Sequence, residues 1–265
     1  MLKKISFCFG VMASLSLNAW AKLSVAPQYV LFDKNSPKVQ MVNVINNDDK
    51  PQTFNVKLLH YKQNEDGGYS EIKEADAKNL FVDDLIFYGP RRFTLEPRTA
   101  QTIKIQRKPK ADLADGEYRS HMLFQEAEAE KAIVPQSSNT EAKGLTFNIT
   151  ALYGVSIPVV VRVGNLNAEA KISNVKHIKK QDTDFIDLVL NRSGNRSLRG
   201  DLFVKYNGEV IGSLKGINIF LSINKRKISI PLDAEKIKGF SLEGKTLTVE
   251  YIIDGNILTS TNFVY

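Results

Sequence analysis

The sequence has few of the residues on which many enzymes and disulfide-rich exported domains depend. It contains one cysteine, three histidines and one tryptophan in 265 residues. It has no HExxH helix, Cys/His metal spacing, GxSxG turn, P-loop or dinucleotide fingerprint. These absences disfavour the metallohydrolase, serine hydrolase and nucleotide-dependent classes. We therefore predict a protein that is not an enzyme, with no catalytic residues, no metal and no cofactor.

The remaining polar groups do not form a recognisable catalytic set. Paired acids occur at Asp48-Asp49 and Asp83-Asp84, and both pairs are typical of solvated turns, since acid/base work needs a setting that shifts a pKa. His121 follows Arg119 by two residues, so on a strand both side chains lie on one face. We predict that they form a solvent-facing pair or a contact to a neighbouring domain.

The first 21 residues are predicted to be a signal peptide. Lys3 and Lys4 precede a short apolar stretch, and Ala19-Trp20-Ala21 is a small-x-small cleavage pattern. The apolar stretch is shorter than the ~20 residues that span a bilayer, and we expect no membrane insertion. Cleavage would remove the only cysteine, Cys8, so the exported chain would rely on burial without disulfides.

Charge gives a weaker indication of partners. Loss of the two lysines of the signal would leave 34 basic and 29 acidic residues, a net charge of +5. This mild excess favours anionic partners without identifying them. Nucleic acid is not expected, because the chain is predicted to be exported and has no basic-aromatic motif.

Short alternating segments follow one another along the rest of the chain, and helical periodicity is nearly absent. Asn207-Gly208 and Asp254-Gly255 are hairpin signals, residues 63–79 indicate a loop or frayed hairpin, and residues 126–143 indicate a long exposed loop. Such a pattern, repeated twice, predicts an all-β protein of two immunoglobulin-like β-sandwiches. The predicted domains are residues 22–164 and 165–265.

One segment combines two strand patterns. In GLTFNITALYGVSIPVVVRVG, residues 144–164, one face of the first half has Phe147, Ile149, Ala151 and Tyr153, and the other has Thr146, Asn148 and Thr150. A nearly continuous apolar run follows Gly154. Alternation predicts a half-buried strand, whereas an apolar run predicts a strand covered on both faces. We therefore expect a long strand, 144–163, whose partners change along its length. The segment carries no charge from Leu145 to Val161, although edge strands normally carry charges that prevent association.

The order of segments resembles the PapD-like periplasmic chaperones of the chaperone–usher pathway. The resemblance rests on a signal peptide, LSVAPQYVLFD, FTLEPRTAQTIKI, GEYRSHMLF, a polar loop, the alternating strand and a second β-domain with FIDLVLNRSGNRSLRGDLFV. It covers the whole predicted mature chain and is weaker in the second half.

The resemblance implies two immunoglobulin-like domains in an L shape and a periplasmic location. It also implies binding of pilus or fimbrial subunits by donor-strand complementation, followed by delivery to an outer-membrane usher, with no nucleotide or metal. The donated side chains would be Phe147, Ile149, Ala151 and Tyr153.

The sequence departs from the best-known members of this family at the carboxylate anchor. Those members have an arginine in a P-x-R-V-x-F pattern, where this chain has Tyr29, and a lysine in the last strand, which is missing here. The departure resembles the non-classical (archaic or alternative) branches. Arginine pairs bidentately with carboxylates, so the substitutes we name are Arg91 and Arg92, with Arg119 second.

Two alternatives stay open on sequence grounds. The chain would serve as a structural or adhesive protein if its sandwiches assemble with one another or bind a surface ligand. The alternating row would be ordinary core if the first sandwich buries it, as most apolar faces are buried. An exported hydrolase with dispersed catalytic residues has no motif in its favour.

Overall fold

The structure is a computed structural model that describes residues 22–110, 112–127, 152–239 and 241–265. The signal peptide, the predicted loop from 128 onward and most of the alternating segment lie outside these residues. Within them most residues lie in β-strands and helix is nearly absent, as predicted.

The first group of strands forms a sandwich of two sheets and one hairpin. One sheet has the order β1-β3-β9-β7, the facing sheet has the order β2-β11-β10-β4-β8, and β5 pairs with β6. The strands are β1 Leu23–Ala26, β2 Val30–Phe32, β3 Val39–Asn46, β4 Gln52–Leu59, β5 Tyr61–Gln63, β6 Tyr69–Glu71, β7 Ile86–Gly89, β8 Arg92–Leu95, β9 Ala100–Arg107, β10 Gly116–Glu126 and β11 Gly154–Val163.

The second group forms another sandwich. Its sheets have the orders β12-β13-β16 and β15-β14-β17-β18. The strands are β12 Ala168–Lys180, β13 Thr183–Gly194, β14 Leu198–Tyr206, β15 Glu209–Ile219, β16 Lys225–Pro231, β17 Thr246–Ile253 and β18 Asn256–Val264. The fold is thus all-β, with two immunoglobulin-like β-sandwiches.

Helices are short. A 3-10 helix spans Asp83–Leu85 and one α-helical turn spans Ala234–Ile237, with Asp233 as its N-cap accepting from the Glu235 N–H. None of the described helices has the length and hydropathy to cross a membrane.

Each sandwich has its own hydrophobic core. The first is built from apolar residues between Leu23 and Val161, and the second from residues between Ile172 and Tyr251. The alternation seen in the sequence explains this burial, because every second side chain of a strand lies on the same face. The domain boundary at 164/165 stays a prediction, with which the separate cores agree.

The turns between strands follow their sequence signals. Asn207 and Gly208 have φ values of 47° and 85° between β14 and β15, and Asp254 and Gly255 have φ values of 50° and 79° between β17 and β18. Positive φ at both central residues defines a type I′ turn, for which Asn-Gly and Asp-Gly are favoured. Both predicted hairpins are confirmed.

Two predicted elements differ from the structure. The segment LSVAPQYVLFD, residues 23–33, has the alternation of one strand but forms two, β1 and β2, which join opposite sheets. The first strand ends at Ala26, and the bond from Ala26 to Pro27 is cis. A proline lacks the N–H that a continuing ladder would use. Glu126 belongs to β10 rather than to the following loop.

Candidate functional site

The strand β11 has different neighbours along its two halves. Over its whole length it pairs antiparallel with β10, from Gly154 opposite Gln125 to Val163 opposite Gly116. On its other edge it pairs in parallel with β2, but only at Val159–Val161. The neighbours therefore change within the apolar run itself, while the predicted change at the alternating half, 144–153, falls mostly outside the described residues and stays a prediction. We refer to Gly154–Pro158 as the outer half and Val159–Val163 as the inner half.

The outer half has one free edge within the described residues. No described strand pairs with Gly154–Pro158 on the side away from β10. Backbone N–H and C=O groups along such an edge are available to a strand from another protein. This is the feature expected of a strand-pairing site.

Burial changes along the strand in the same direction. Tyr153, just before β11, is 41% exposed, whereas Ile157 is 1% exposed and Val159, Val160 and Val161 are fully buried. Val160 lies on the face opposite to Val159 and Val161, so the inner half is covered on both faces. This agrees with the prediction from its continuous apolar run.

The apolar face of β11 is formed by odd-numbered residues, and the predicted donor row is odd-numbered as well. Ile157, Val159 and Val161 belong to the first core, and Val155 packs against it. Tyr153 shares their parity. The other predicted donor residues, Phe147, Ile149 and Ala151, share it too but lie outside the described residues.

Both chain ends that flank the undescribed segment 128–151 lie at the same end of the sheet. The Glu126 N–H donates to the Tyr153 carbonyl at 2.9 Å, and the Ala127 N–H donates to the Thr53 carbonyl at 2.8 Å. This end is opposite to the one from which the chain continues into β12.

Arg91 and Arg92 lie near that same end. Arg92 is opposite Asn55 on β4, Asn55 is opposite Gln125, and Gln125 is opposite Gly154, so the four form one row across the sheet. Three strand spacings separate Arg92 from Gly154, roughly 14 Å. Both arginines are exposed, and the Arg91 guanidinium lies 4.8 Å from the Tyr88 ring centroid.

Arg119 has a different environment, at the contact between the two sandwiches. One guanidinium nitrogen donates to the Tyr61 carbonyl at 2.6 Å, and the group lies 3.9 Å from the Phe220 ring centroid. Burial lowers the pKa of Arg119 to about 10, so the side chain stays charged at neutral pH. Arg119 therefore does not lie in the same place as Arg91 and Arg92.

His121 is part of the same contact. It is 4% exposed, and its ring makes edge contacts with Tyr61, Tyr69 and Phe220 at centroid distances of 5.2, 5.1 and 6.2 Å. Burial, with the charges of Arg119 and His60, lowers the pKa of His121 to about 3. Of the two predicted roles, the contact between domains is the one observed.

Sequence reasoning missed that residues 63–79 take part in this contact. Gln63 is 2% exposed, its N–H donates to the Ser222 hydroxyl at 2.9 Å, and its side-chain oxygen accepts from the Phe220 N–H at 3.0 Å. The Lys227 N–H donates to the Glu65 carbonyl at 2.7 Å. The hairpin β5–β6 thus bridges the sandwiches, whereas its polar sequence had indicated only a loop or frayed hairpin, with no sign of this contact.

A buried ion pair connects the inner half of β11 to the second sandwich. Arg162 Nε donates to Glu117 Oε2 at 2.9 Å, and the same carboxylate accepts from the Ser197 N–H at 3.0 Å. The Arg162 guanidinium also donates to the Ser197 carbonyl at 3.1 Å. These contacts fix the strand close to the linker that leads to β12.

Tyr29, at the position where the resembled family has an arginine, lies beside this network. Burial raises the pKa of Tyr29 to about 12, so the phenol is neutral at any physiological pH. The Arg199 guanidinium lies 5.0 Å from its ring centroid. Among the described residues no group of three or more His, Cys, Asp or Glu side chains is arranged to hold a metal ion.

Comparison with solved structures finds similar chains over most of the length. A structure of the YadV chaperone has 12% identity and a TM-score of 0.45, covering 92% of this chain and 100% of its own. A chain of the CsuC–CsuE chaperone–tip adhesion subunit complex, from archaic Csu pili of Acinetobacter baumannii, has 12% identity and a TM-score of 0.47 over 91% and 98%. The CupB2 chaperone of Pseudomonas aeruginosa has 11% identity and a TM-score of 0.43 over 91% and 99%.

At the level of sequence, no protein-family model and no curated protein matches the chain. Identities of 11–12% and TM-scores below 0.5 do not assign a function to it.

Proposed function

We propose that this protein is a periplasmic chaperone for pilus or fimbrial subunits. It lends the segment that runs into β11 to a subunit whose own fold lacks a strand, and it delivers that subunit to an outer-membrane usher. The observation that carries the proposal is the outer half of β11. Within the described residues no second strand pairs with its outer edge, and in sequence it follows an uncharged alternating row.

When a strand is added to a sheet, its backbone and its side chains contribute differently to binding. The backbone of the added strand pairs with the subunit sheet, and alternate side chains occupy pockets in its groove. Phe147, Ile149, Ala151 and Tyr153 would be those side chains. These four residues and Ile157, which belongs to the first core, are all odd-numbered. This spacing supports one continuous apolar face that runs from the chaperone core into the subunit groove.

Among the candidate arginines, solvent exposure and position in the sheet indicate which one would bind the subunit carboxylate. Arg91 and Arg92 are exposed, and Arg92 aligns with the start of β11, so either could receive a subunit carboxylate bidentately. Arg119 already donates to Tyr61 and stacks on Phe220. Binding a carboxylate there would require those contacts to rearrange, so we favour the exposed pair.

The decisive experiment places the same charge on opposite faces of the row. Ile149→Asp and Asn148→Asp are neighbours in sequence, so a strand would direct their side chains to opposite faces. We expect Ile149→Asp to abolish one-to-one co-purification with a subunit from a periplasm, and Asn148→Asp to retain it. Both free proteins should keep the wild-type melting temperature within a few degrees.

Two outcomes would contradict the proposal. If Ile149→Asp unfolds the free protein, the row is core of the first sandwich. If the wild-type protein assembles with itself and no smaller subunit co-purifies, the structural or adhesive alternative is correct.

A further inference from the structure

A basic cleft lies at the inner end of the first sandwich, away from the free edge of β11. Its volume is about 630 Å³, and it is bounded by the segment after β2 and the segment after β9. A second hollow of about 380 Å³ shares Asp33, Lys34 and Arg107 with it and extends to Arg196 and the linker. The basic cleft is lined by Lys34, Lys38, Arg107, Lys108 and Lys110.

The charges of the basic cleft are not balanced within the described residues. The one acidic residue that lines the cleft, Asp33, accepts from the Ser36 hydroxyl at 2.7 Å and from the Asn35 N–H at 2.9 Å. Its carboxylate therefore stabilises the turn that contains it. Lys108 lies over the Phe87 ring at 4.1 Å. In the described parts of the chain, no acidic side chain forms a salt bridge with any of the other four cations.

The backbone that carries these cations is held in place. The Arg107 N–H donates to the Lys38 carbonyl at 2.9 Å, and the Lys108 N–H donates to the Leu85 carbonyl at 2.8 Å. The first bond joins the two walls of the cleft, and the second attaches Lys108 to the 3-10 helix that ends at Leu85. A ligand would therefore meet cations on a preformed surface and would not have to order the loops, which reduces the entropic cost of binding.

The floor of the cleft is apolar. Phe32 and Leu85 are 1% and 3% exposed and belong to the first core, and the other apolar lining residues are Pro37, Pro109 and Leu113. A surface with cations at its rim and apolar atoms at its base complements a ligand with both anionic and apolar groups.

We propose that the basic cleft binds a short acidic segment of a partner protein, with one apolar side chain of that segment against the floor. Carboxylates on such a segment would pair with Lys34, Lys38, Arg107 and Lys110. A flat bilayer is a poorer fit, because the cations line a concave surface. A single-stranded nucleic acid is also a poorer fit, because the one aromatic lining residue, Phe32, is buried and offers no stacking platform.

The proposed site goes beyond strand donation and does not depend on it. Arg162, next to the cleft, is eight residues from Gly154 along β11, roughly 25 Å. A subunit at the free edge and an acidic segment in the cleft could therefore be bound together. For this reason the test uses the free protein, without any subunit.

The test is fluorescence anisotropy with a labelled peptide, Asp-Glu-Leu-Phe-Glu-Asp, added to the mature protein. Two control peptides separate the contributions: Asn-Gln-Leu-Phe-Gln-Asn lacks the charges and Asp-Glu-Ser-Gly-Glu-Asp lacks the apolar pair. We expect the first peptide to bind at least tenfold more tightly than either control, and its Kd to rise with salt because charge pairing is screened.

Matched charge reversals test the location. Lys34→Glu with Lys110→Glu should weaken binding of the acidic peptide at least tenfold. Lys57→Glu with Lys215→Glu, exposed lysines outside the cleft, changes net charge equally and should weaken it less than twofold. If the cleft double variant fails to fold, Lys34→Gln alone should still weaken binding, since that side chain is exposed.

Three results would overturn the proposal. Equal weakening in both double variants would indicate a long-range effect of net charge. Equal affinity for the three peptides would exclude the combined recognition of charge and apolar contact. Tighter binding of phosphatidylglycerol vesicles or of a single-stranded oligonucleotide, lost in the same cleft variant, would assign the cleft to those ligands instead.

Discussion

The two halves of β11 are both apolar and both pair with β10, yet they have different structural roles. The inner half pairs with β2 as well, and its side chains are buried on both faces. The outer half has no second strand partner among the described residues, and exposure rises toward Tyr153. Apolar character alone therefore does not distinguish a core strand from a strand that is available to another protein.

The difference arises from the strand next to β11. β2 is only three residues long, because the chain that precedes it crosses from the opposite sheet at Ala26–Pro27. A longer β2 would cover the outer half of β11 and remove the free edge. Among the described strands, the short β2 is thus what leaves the outer half without a second partner.

The largest effect is expected from a charge in the inner half. Val161→Asp buries a carboxylate in the first core, where Val161 is fully buried. An unpaired buried charge is strongly unfavourable, so we expect a loss of more than about 4 kcal/mol in unfolding free energy. Urea denaturation measures this loss, with Ile149→Asp as the comparison. Equal losses for the two variants would remove the distinction between the buried inner half and the alternating row that precedes β11.

The next effect concerns the ion pair at the inner end. Arg162→Met leaves Glu117, whose side chain is 2% exposed, without its cation, although the Ser197 N–H remains. Breaking a buried pair from one side costs about 3 kcal/mol. Lys22→Met, which breaks the exposed pair with Asp48, should cost less than about 0.5 kcal/mol. Similar losses for both would mean that Arg162 does not connect the sandwiches as described.

A smaller loss of unfolding free energy is expected at acidic pH, because of His121. Its pKa falls to about 3 on folding from 6.5, so the unfolded chain binds the proton more readily between these values. Stability is therefore lost as pH falls below 6.5. The loss from this group between pH 7 and pH 5 is about 2 kcal/mol at most.

The test compares His121→Phe with the wild type by urea denaturation at both pH values. The phenylalanine keeps an aromatic ring beside Tyr61, Tyr69 and Phe220 and has no proton to bind. Its stability should fall less between pH 7 and pH 5 than that of the wild type. His177→Gln is the control, since His177 lies in the second sandwich, where it is paired with Asp184. The same pH dependence in His121→Phe and the wild type would contradict the assignment.

Much of the fold could be predicted because it depends on local pattern. Alternation located the strands of both sandwiches, and the Asn-Gly and Asp-Gly dipeptides located two hairpins with the required positive φ. The burial of the inner half of β11 on both faces was also predictable, because a continuous apolar run is typical of a strand that is covered on both sides. These features each depend on a few neighbouring residues.

The contact between the sandwiches could not be predicted because it joins residues distant in sequence. Gln63 contacts Ser222 and Phe220 across more than 150 positions, and nothing in its own polar neighbourhood marks it as buried. The basic cleft was missed for the same reason: Lys34 and Lys110 belong to different loops. The chemistry of carboxylate recognition limited the candidate anchor residues to arginines. Only the structure showed that Arg119 lies at the contact between the sandwiches, whereas Arg91 and Arg92 are exposed.

The smallest effect on stability is expected just beyond the outer half. Tyr153 is 41% exposed and precedes the first residue of β11, so Tyr153→Lys removes little buried area. We expect the unfolding free energy of the free protein to change by less than about 0.5 kcal/mol, as for most surface substitutions. Subunit capture should nevertheless weaken, because lysine places a charge at the end of the donated row. Tyr153→Phe keeps the apolar ring and should retain capture, whereas equal capture by all three proteins would place Tyr153 outside the donated row.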